Sequence, residues 1–121
     1  MGCPENSVLS IFFVSNGRIA FLNRKYFKKN ALTNVISFPM HYRSPDGKFF
    51  LGDIVIAKEV AKKESENAGL DFNERVAQLI IHGILHLIGY KDYNSKDMRE
   101  MQVKENMLLK ELKLFLARAS E

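Results

Sequence analysis

The stretch that most constrains this chain is Leu79-Ile80-Ile81-His82-Gly83-Ile84-Leu85-His86-Leu87-Ile88. Read as a helix, it is apolar on nearly every face. A helix of that kind belongs in the middle of a domain, covered from several sides. It is far short of the ~18 apolar residues that a membrane span needs. Asp71 and Glu74 form a capping-box pattern ahead of it, so the helix is expected from Phe72 to about Ile88, with Gly89 ending it.

The other elements follow from periodicity and turn residues. Residues 8–14 are a short β-rich apolar run and read as a buried strand. Ser15 or Asn16 is placed to cap a helix reaching about Phe27, with Ile19, Leu22 and Tyr26 at helical spacing. Val35 to Phe38 reads as a second strand stopped by Pro39. Ser44-Pro45-Asp46-Gly47 has the residues of a type I turn, and Phe49 to Ile56 reads as a third strand. Strands two and three should pair as an antiparallel hairpin with a long, basic tip. A helix from about Ala57 should end at Gly69, a natural left-handed cap. Ser95 can start a last helix reaching about Ala117, with Met98, Met101, Leu108, Leu112 and Phe115 along one stripe. Strands followed by helices, with a hairpin, predict an α+β class. The 121 residues are enough for one domain with a single core, so residues 1–121 are read as one unit.

His82 and His86 are four apart, so both rings leave one face of the central helix. Two imidazoles there can hold one divalent ion. Gly89 allows the chain to turn back, and Asp92 three residues later can add a carboxylate. Three such ligands leave a fourth position open, the plan of a catalytic rather than a structural zinc site. The alternative is that both histidines are satisfied core residues. Packing alone gives no reason for two polar rings in an aliphatic helix, because each is costly there unless paired. Gly83 stands where the His-Glu-x-x-His proteases carry their general base, which removes that chemistry. His41, the third histidine, is the competing third ligand. Glu105 falls on the last helix's apolar stripe and is read either as snorkelling to water or as a carboxylate holding a histidine N–H.

Charge is unevenly placed. Residues 18–48 hold seven basic side chains against the single acid Asp46, while the remainder is slightly negative. Within that section Arg24, Lys28, Lys29 and Arg43 lie among Tyr26, Phe27 and Tyr42. Cations beside aromatic rings suit single-stranded nucleic acid; a merely solvated face is the bland alternative. The lone Cys3, with no apolar run of membrane length and no leader-like start, points to a reducing, cytoplasmic setting.

The run His82 to Tyr90 resembles the signature of the YbeY-type bacterial endoribonucleases. The resemblance extends to Leu22-Asn23, Tyr26, Thr33 to Pro39, Leu51 to Ile54, and Asp97, Met101, Glu105 and Leu108, in order, over about residues 8–110. It implies a metal-dependent RNase, holding one zinc ion, with a mixed sheet of about four strands packed beside a buried metal-bearing helix. It also implies cleavage of single-stranded RNA in small-subunit rRNA maturation and ribosome quality control. Three departures stand out. Where the family has Tyr-Asp-His, this chain has Tyr90-Lys91-Asp92. Phe27 and Asn30 replace the family's Arg and Asp. The chain also begins late, with no counterpart to the family's first strand and helix. The expectation is therefore an endoribonuclease with His82, His86 and Asp92 on the metal, Glu105 behind them, and RNA along Arg24 to Arg43. The alternative is a non-catalytic, metal-containing RNA- or ribosome-binding relative.

Overall fold

In the computed structural model, residues 3–29 and 32–119 are described, with side chains of the last helix as far as Leu112. The elements are β1 (Ser7–Val14), α1 (Asn16–Phe27), β2 (Val35–Arg43), β3 (Phe49–Ala57), α2 (Lys58–Ala68), α3 (Phe72–Leu87) and α4 (Ser95–Ala119). Among the described residues the sheet has three strands, in the order β1-β3-β2. β1 runs parallel to β3, and β2 runs antiparallel to it. The class is α+β with a small mixed sheet, as expected, though one strand smaller than the four that the resemblance implies.

Alternation along the central strand builds two cores. Val55 and Ala57 of β3 join Ile36 of β2 and Ile19 of α1 on one face. Ile54 and Ile56 face the other way, against Leu79 and Leu87 of α3 and Ala61 of α2. A third cluster, Ile81, Leu85 and Met101, packs α4 onto the far side of α3. α3 therefore lies between sheet and helices, which accounts for its apolar residues on so many faces.

Gly83 sets how deeply α3 sits. A Cβ there would lie 3.0 Å from Ile54 Cδ1 and 3.0 Å from Ser37 Oγ. The Ser37 hydroxyl donates to the Gly83 carbonyl at 3.2 Å. The C-terminal end is held too, since the His41 Nε2–H donates to the Leu87 carbonyl at 2.7 Å. That carbonyl is one of those a helix end leaves without an internal partner.

Several local expectations need correction. β1 is an edge strand rather than a buried one, and Phe12 and Phe13 are each 50% exposed. β2 does not stop at Pro39 but continues to Arg43. Proline is tolerated because β2 is also an edge strand and because the pairing shifts register between Pro39 and Tyr42. Gly52 opposite makes the approach possible, since a Cβ there would lie 2.3 Å from the Phe38 carbonyl oxygen. His41, inside the irregularity, has φ 50°, the left-handed conformation often found at bulges. With β2 longer, the hairpin tip is short. It is closed by Gly47 N–H to the Ser44 carbonyl at 3.0 Å, as the turn residues predict. The Ser44 hydroxyl also donates to Asp46 and holds its carboxyl below the usual range.

The helix ends are mixed. Ser15 caps α1 through Arg18 N–H, and Gly69 ends α2 at φ 68°. Asp71 precedes α3 as expected but makes no side-chain cap hydrogen bond. α4 is capped by Asn94, which accepts from Asp97 N–H at 2.9 Å, rather than by Ser95. Met98 of the expected stripe is exposed, and the Phe115 side chain lies outside the described residues.

Gly83→Ala should destabilise the fold by about 1–3 kcal/mol, because the added methyl overpacks the seam between α3 and the sheet. Chemical denaturation of the two proteins measures this; equal midpoints would show that the seam relaxes freely.

Candidate metal centre

α3 carries His82 and His86 on the flank between its sheet-facing side and its α4-facing side, three residues on from Leu79 and Gly83 respectively. Their rings are half-buried with centroids 4.6 Å apart, and the two Nε2 atoms lie 3.1 Å from each other. Beyond Leu87 the helix closes through Gly89 N–H to the His86 carbonyl and Tyr90 N–H to the Leu85 carbonyl. Gly89 takes φ 109°, a conformation that favours glycine. The chain then folds back and brings Asp92 Oδ2 to 3.7 Å from His86 Nε2. One ligand atom from each of His82, His86 and Asp92 lies within 4.8 Å of the others. The structure thus brings the three expected ligands together. It keeps His41 out of the group, on the Leu87 carbonyl and stacked with Phe49.

The hydrogen bonds behind the rings decide which nitrogens face the site. His82 Nδ1 meets the Glu105 carboxylate. His86 Nδ1 lies 3.1 Å from the Tyr90 carbonyl oxygen, which can only accept, so that nitrogen carries the proton. With a carboxylate behind His82 as well, the tautomer that donates from Nδ1 in each ring leaves both Nε2 atoms facing the same point. Two ring nitrogens 3.1 Å apart are held by a proton or a metal ion between them. Two nitrogens bound tetrahedrally to zinc at the usual ~2.0–2.1 Å would lie roughly 3.3 Å apart, so the donor set fits a divalent ion. Glu105 is 19% exposed, brought to His82 because Met101, Leu108, Leu109 and Leu112 seat α4 on α3.

His82, His86 and Asp92 line an open cleft of about 570 Å³ together with Asn23, Phe27, Lys29 and Leu32. Lys29 reaches it, while Arg24 and Lys28 are exposed at the same end of α1. Arg43 is not brought to this cleft. It lies six residues along β2 from Ser37, about 20 Å of strand, and donates to the Gly47 and Glu5 carbonyls.

The residue reading missed a polar cluster beside the histidines. Arg75 donates to Glu64 through Nε and Nη2 at 3.2 Å and to Gln78 through Nη1 at 2.8 Å. Asn34 reaches the same Glu64 carboxylate. Asn34, Arg75 and Gln78, with Glu105, Gln102 and Asn106, line a second hollow of about 260 Å³, which shares Asn34 and His82 with the cleft. A signal was present, since Arg75 lies seven residues before His82, two turns back on one helix face.

A helix-borne pair of imidazoles, a returning carboxylate and an open cleft on a small α+β scaffold define the class as a metal-dependent hydrolase. The model of the family described as Endoribonuclease YbeY matches residues 1–113. The endoribonuclease YbeY of Carboxydothermus hydrogenoformans is 40% identical over 107 residues, covering 88% of this chain and 73% of that protein. That of Staphylococcus epidermidis is 37% identical over 117 residues, covering 91% and 76%. A Thermotoga maritima protein solved in solution shares the fold, with TM-score 0.60 and 23% identity over 92% of this chain and 71% of that one. The chain belongs to the endoribonuclease YbeY family.

If the ligand set is as drawn, Asp92→Ala should weaken divalent-metal binding strongly and His41→Ala should leave it unchanged. Glu105→Gln should lower affinity roughly 10–100-fold, the usual effect of losing the partner behind a ligating histidine. Calorimetric titration checks all three, and undiminished affinity in Asp92→Ala would remove Asp92 from the set.

Proposed function

We propose that this endoribonuclease cuts single-stranded RNA, in small-subunit rRNA maturation and on ribosomes, at one zinc ion held by His82, His86 and Asp92. The observation that carries the reading is the pair of facing Nε2 atoms, each imposed by a hydrogen bond at the opposite ring nitrogen. The chemistry such an ion contributes is polarisation of a phosphoryl oxygen and activation of water. Glu105 and the Tyr90 carbonyl hold the two imidazoles in the ligating tautomer. Asp92 offsets part of the ion's charge. Lys29 at the cleft, with Arg24 and Lys28 beside it, holds phosphates of the strand. Arg43, committed to carbonyls at the hairpin tip, contributes at most at the far end of a long substrate. The chain acts as one domain, residues 1–121, in the cytoplasm. The single cysteine supports that setting, and among the described residues no helix is long and apolar enough to cross a membrane.

Purified protein should carry one equivalent of zinc and cleave unstructured RNA, and His86→Ala should lose both. Cleavage that survives the substitution in metal-free protein would overturn the reading.

Reversing Lys28 and Lys29 to Glu should weaken RNA binding. It should also lower the slope of log K against log salt by about 1.4, two phosphate contacts at ~0.7 each for a single strand. An unchanged slope would leave those lysines as solvated surface.

A further inference from the structure

Phe27 is the last residue of α1, is 44% exposed, and lines the cleft that holds His82, His86 and Asp92. Burying that ring would be favourable, yet the fold leaves it half in water. Its position is nonetheless fixed. The ring leans on Phe38 with centroids 5.8 Å apart and planes at 36°, and Tyr26 meets Phe38 edge-on at 5.3 Å. The backbone is tied down just beyond it. Lys28 N–H reaches the Arg24 carbonyl at 3.1 Å and Lys29 N–H reaches the Asn23 carbonyl at 3.4 Å. Lys28 takes φ 54°, a conformation unfavourable for a residue with a Cβ. This closure is what sends Lys29 into the cleft beside Phe27 rather than onward along the helix.

The result is a braced aromatic ring and a cation two residues apart, in the same cleft as the metal-ligand group. A nucleotide offers the complement of both, a flat π face and an anionic phosphate. An apolar peptide side chain would leave Lys29 without a partner, and a bare phosphate would leave Phe27 without one. Building on the RNA-cleaving reading above, we propose that Phe27 is a stacking platform for one nucleobase of the strand whose phosphate lies at the metal-ligand group. Lys29 takes a phosphate next to that base. The strand is then held by one contact that salt screens and one that it does not.

The test uses a single-stranded oligoribonucleotide with 2-aminopurine bases and 2′-O-methyl sugars that prevent cleavage. The protein should quench the fluorescence as a base stacks. Phe27→Leu should bind roughly 5–150-fold more weakly, the range for losing one base–aromatic stack. It should lose the quench and keep the wild-type salt slope. Phe27→Trp should keep both affinity and quench. Wild-type metal affinity in Phe27→Leu shows that the fold and the site survive the substitution. Phe27→Leu binding within twofold of wild type with its quench intact would overturn the platform, as would Phe27→Trp binding as weakly as Phe27→Leu. Wild-type protein that neither binds this oligonucleotide nor cleaves unmodified RNA would sink the RNA reading and the platform together. Wild-type protein that does both while Phe27→Leu matches it sinks the platform alone.

Discussion

The seating of α3 on the sheet at Gly83 is the constraint from which the rest of the structure follows. With no side chain there, Ile54 and Ser37 come against the helix backbone, and Ser37 adds a hydrogen bond to the carbonyl. One turn on, Leu87 packs on Leu51, Ile54 and Ile56, and its carbonyl is held by His41. A helix gripped at both points cannot rotate or slide. The flank of the helix beside that seam is therefore presented at a fixed height, and it carries His82 and His86. The same helix offers Ile81 and Leu85 to α4, whose apolar stripe sets the level of Glu105.

Orientation of the imidazoles is a separate matter from their placement. A helix puts two rings four residues apart on one face, but each ring can still turn either nitrogen outward. Here the two are settled by different means. His82 is held from α4 by a carboxylate, so its tautomer depends on tertiary packing. His86 is held by a main-chain carbonyl only four residues ahead, so its tautomer depends on the turn at Gly89. The same turn delivers Asp92. One local bend thus supplies a ligand and orients another.

The cleft is mixed in its chemistry. It gathers imidazoles and carboxylate together with Phe27, Leu32 and the cation of Lys29. The adjoining hollow, with Arg75, Gln78, Gln102 and Asn106, extends the polar side beyond His82. A polyanion with unpaired bases has use for both kinds of surface, which agrees with membership of an endoribonuclease family.

Much of this was legible in the residues. Helical spacing put His82 and His86 on one face, Gly89 marked the turn, and the apolar helix had to be central because no other position would cover it. The α+β class and most element boundaries followed from periodicity and turn residues, which act over a few positions. What failed depended on neighbours distant in sequence. Pro39 reads as a stop, but an edge position and the missing Cβ of Gly52 let β2 pass through it. Residues 8–14 read as buried, but burial needs a neighbour on each side, and among the described residues β1 pairs with β3 alone. Glu105 by its residue type leaned toward solvent and by its family position toward pairing, and the seating of α4 against α3 pairs it with His82. Arg43 belongs to the basic section by composition, yet the length of β2 carries it away from the cleft. The sequence by itself determined the local geometry of the ligands, because helix and turn preferences are properties of short segments. Only the tertiary structure decided which face is open, what stands behind each histidine and which cations reach the cleft, because those depend on surfaces that meet only when the chain is packed.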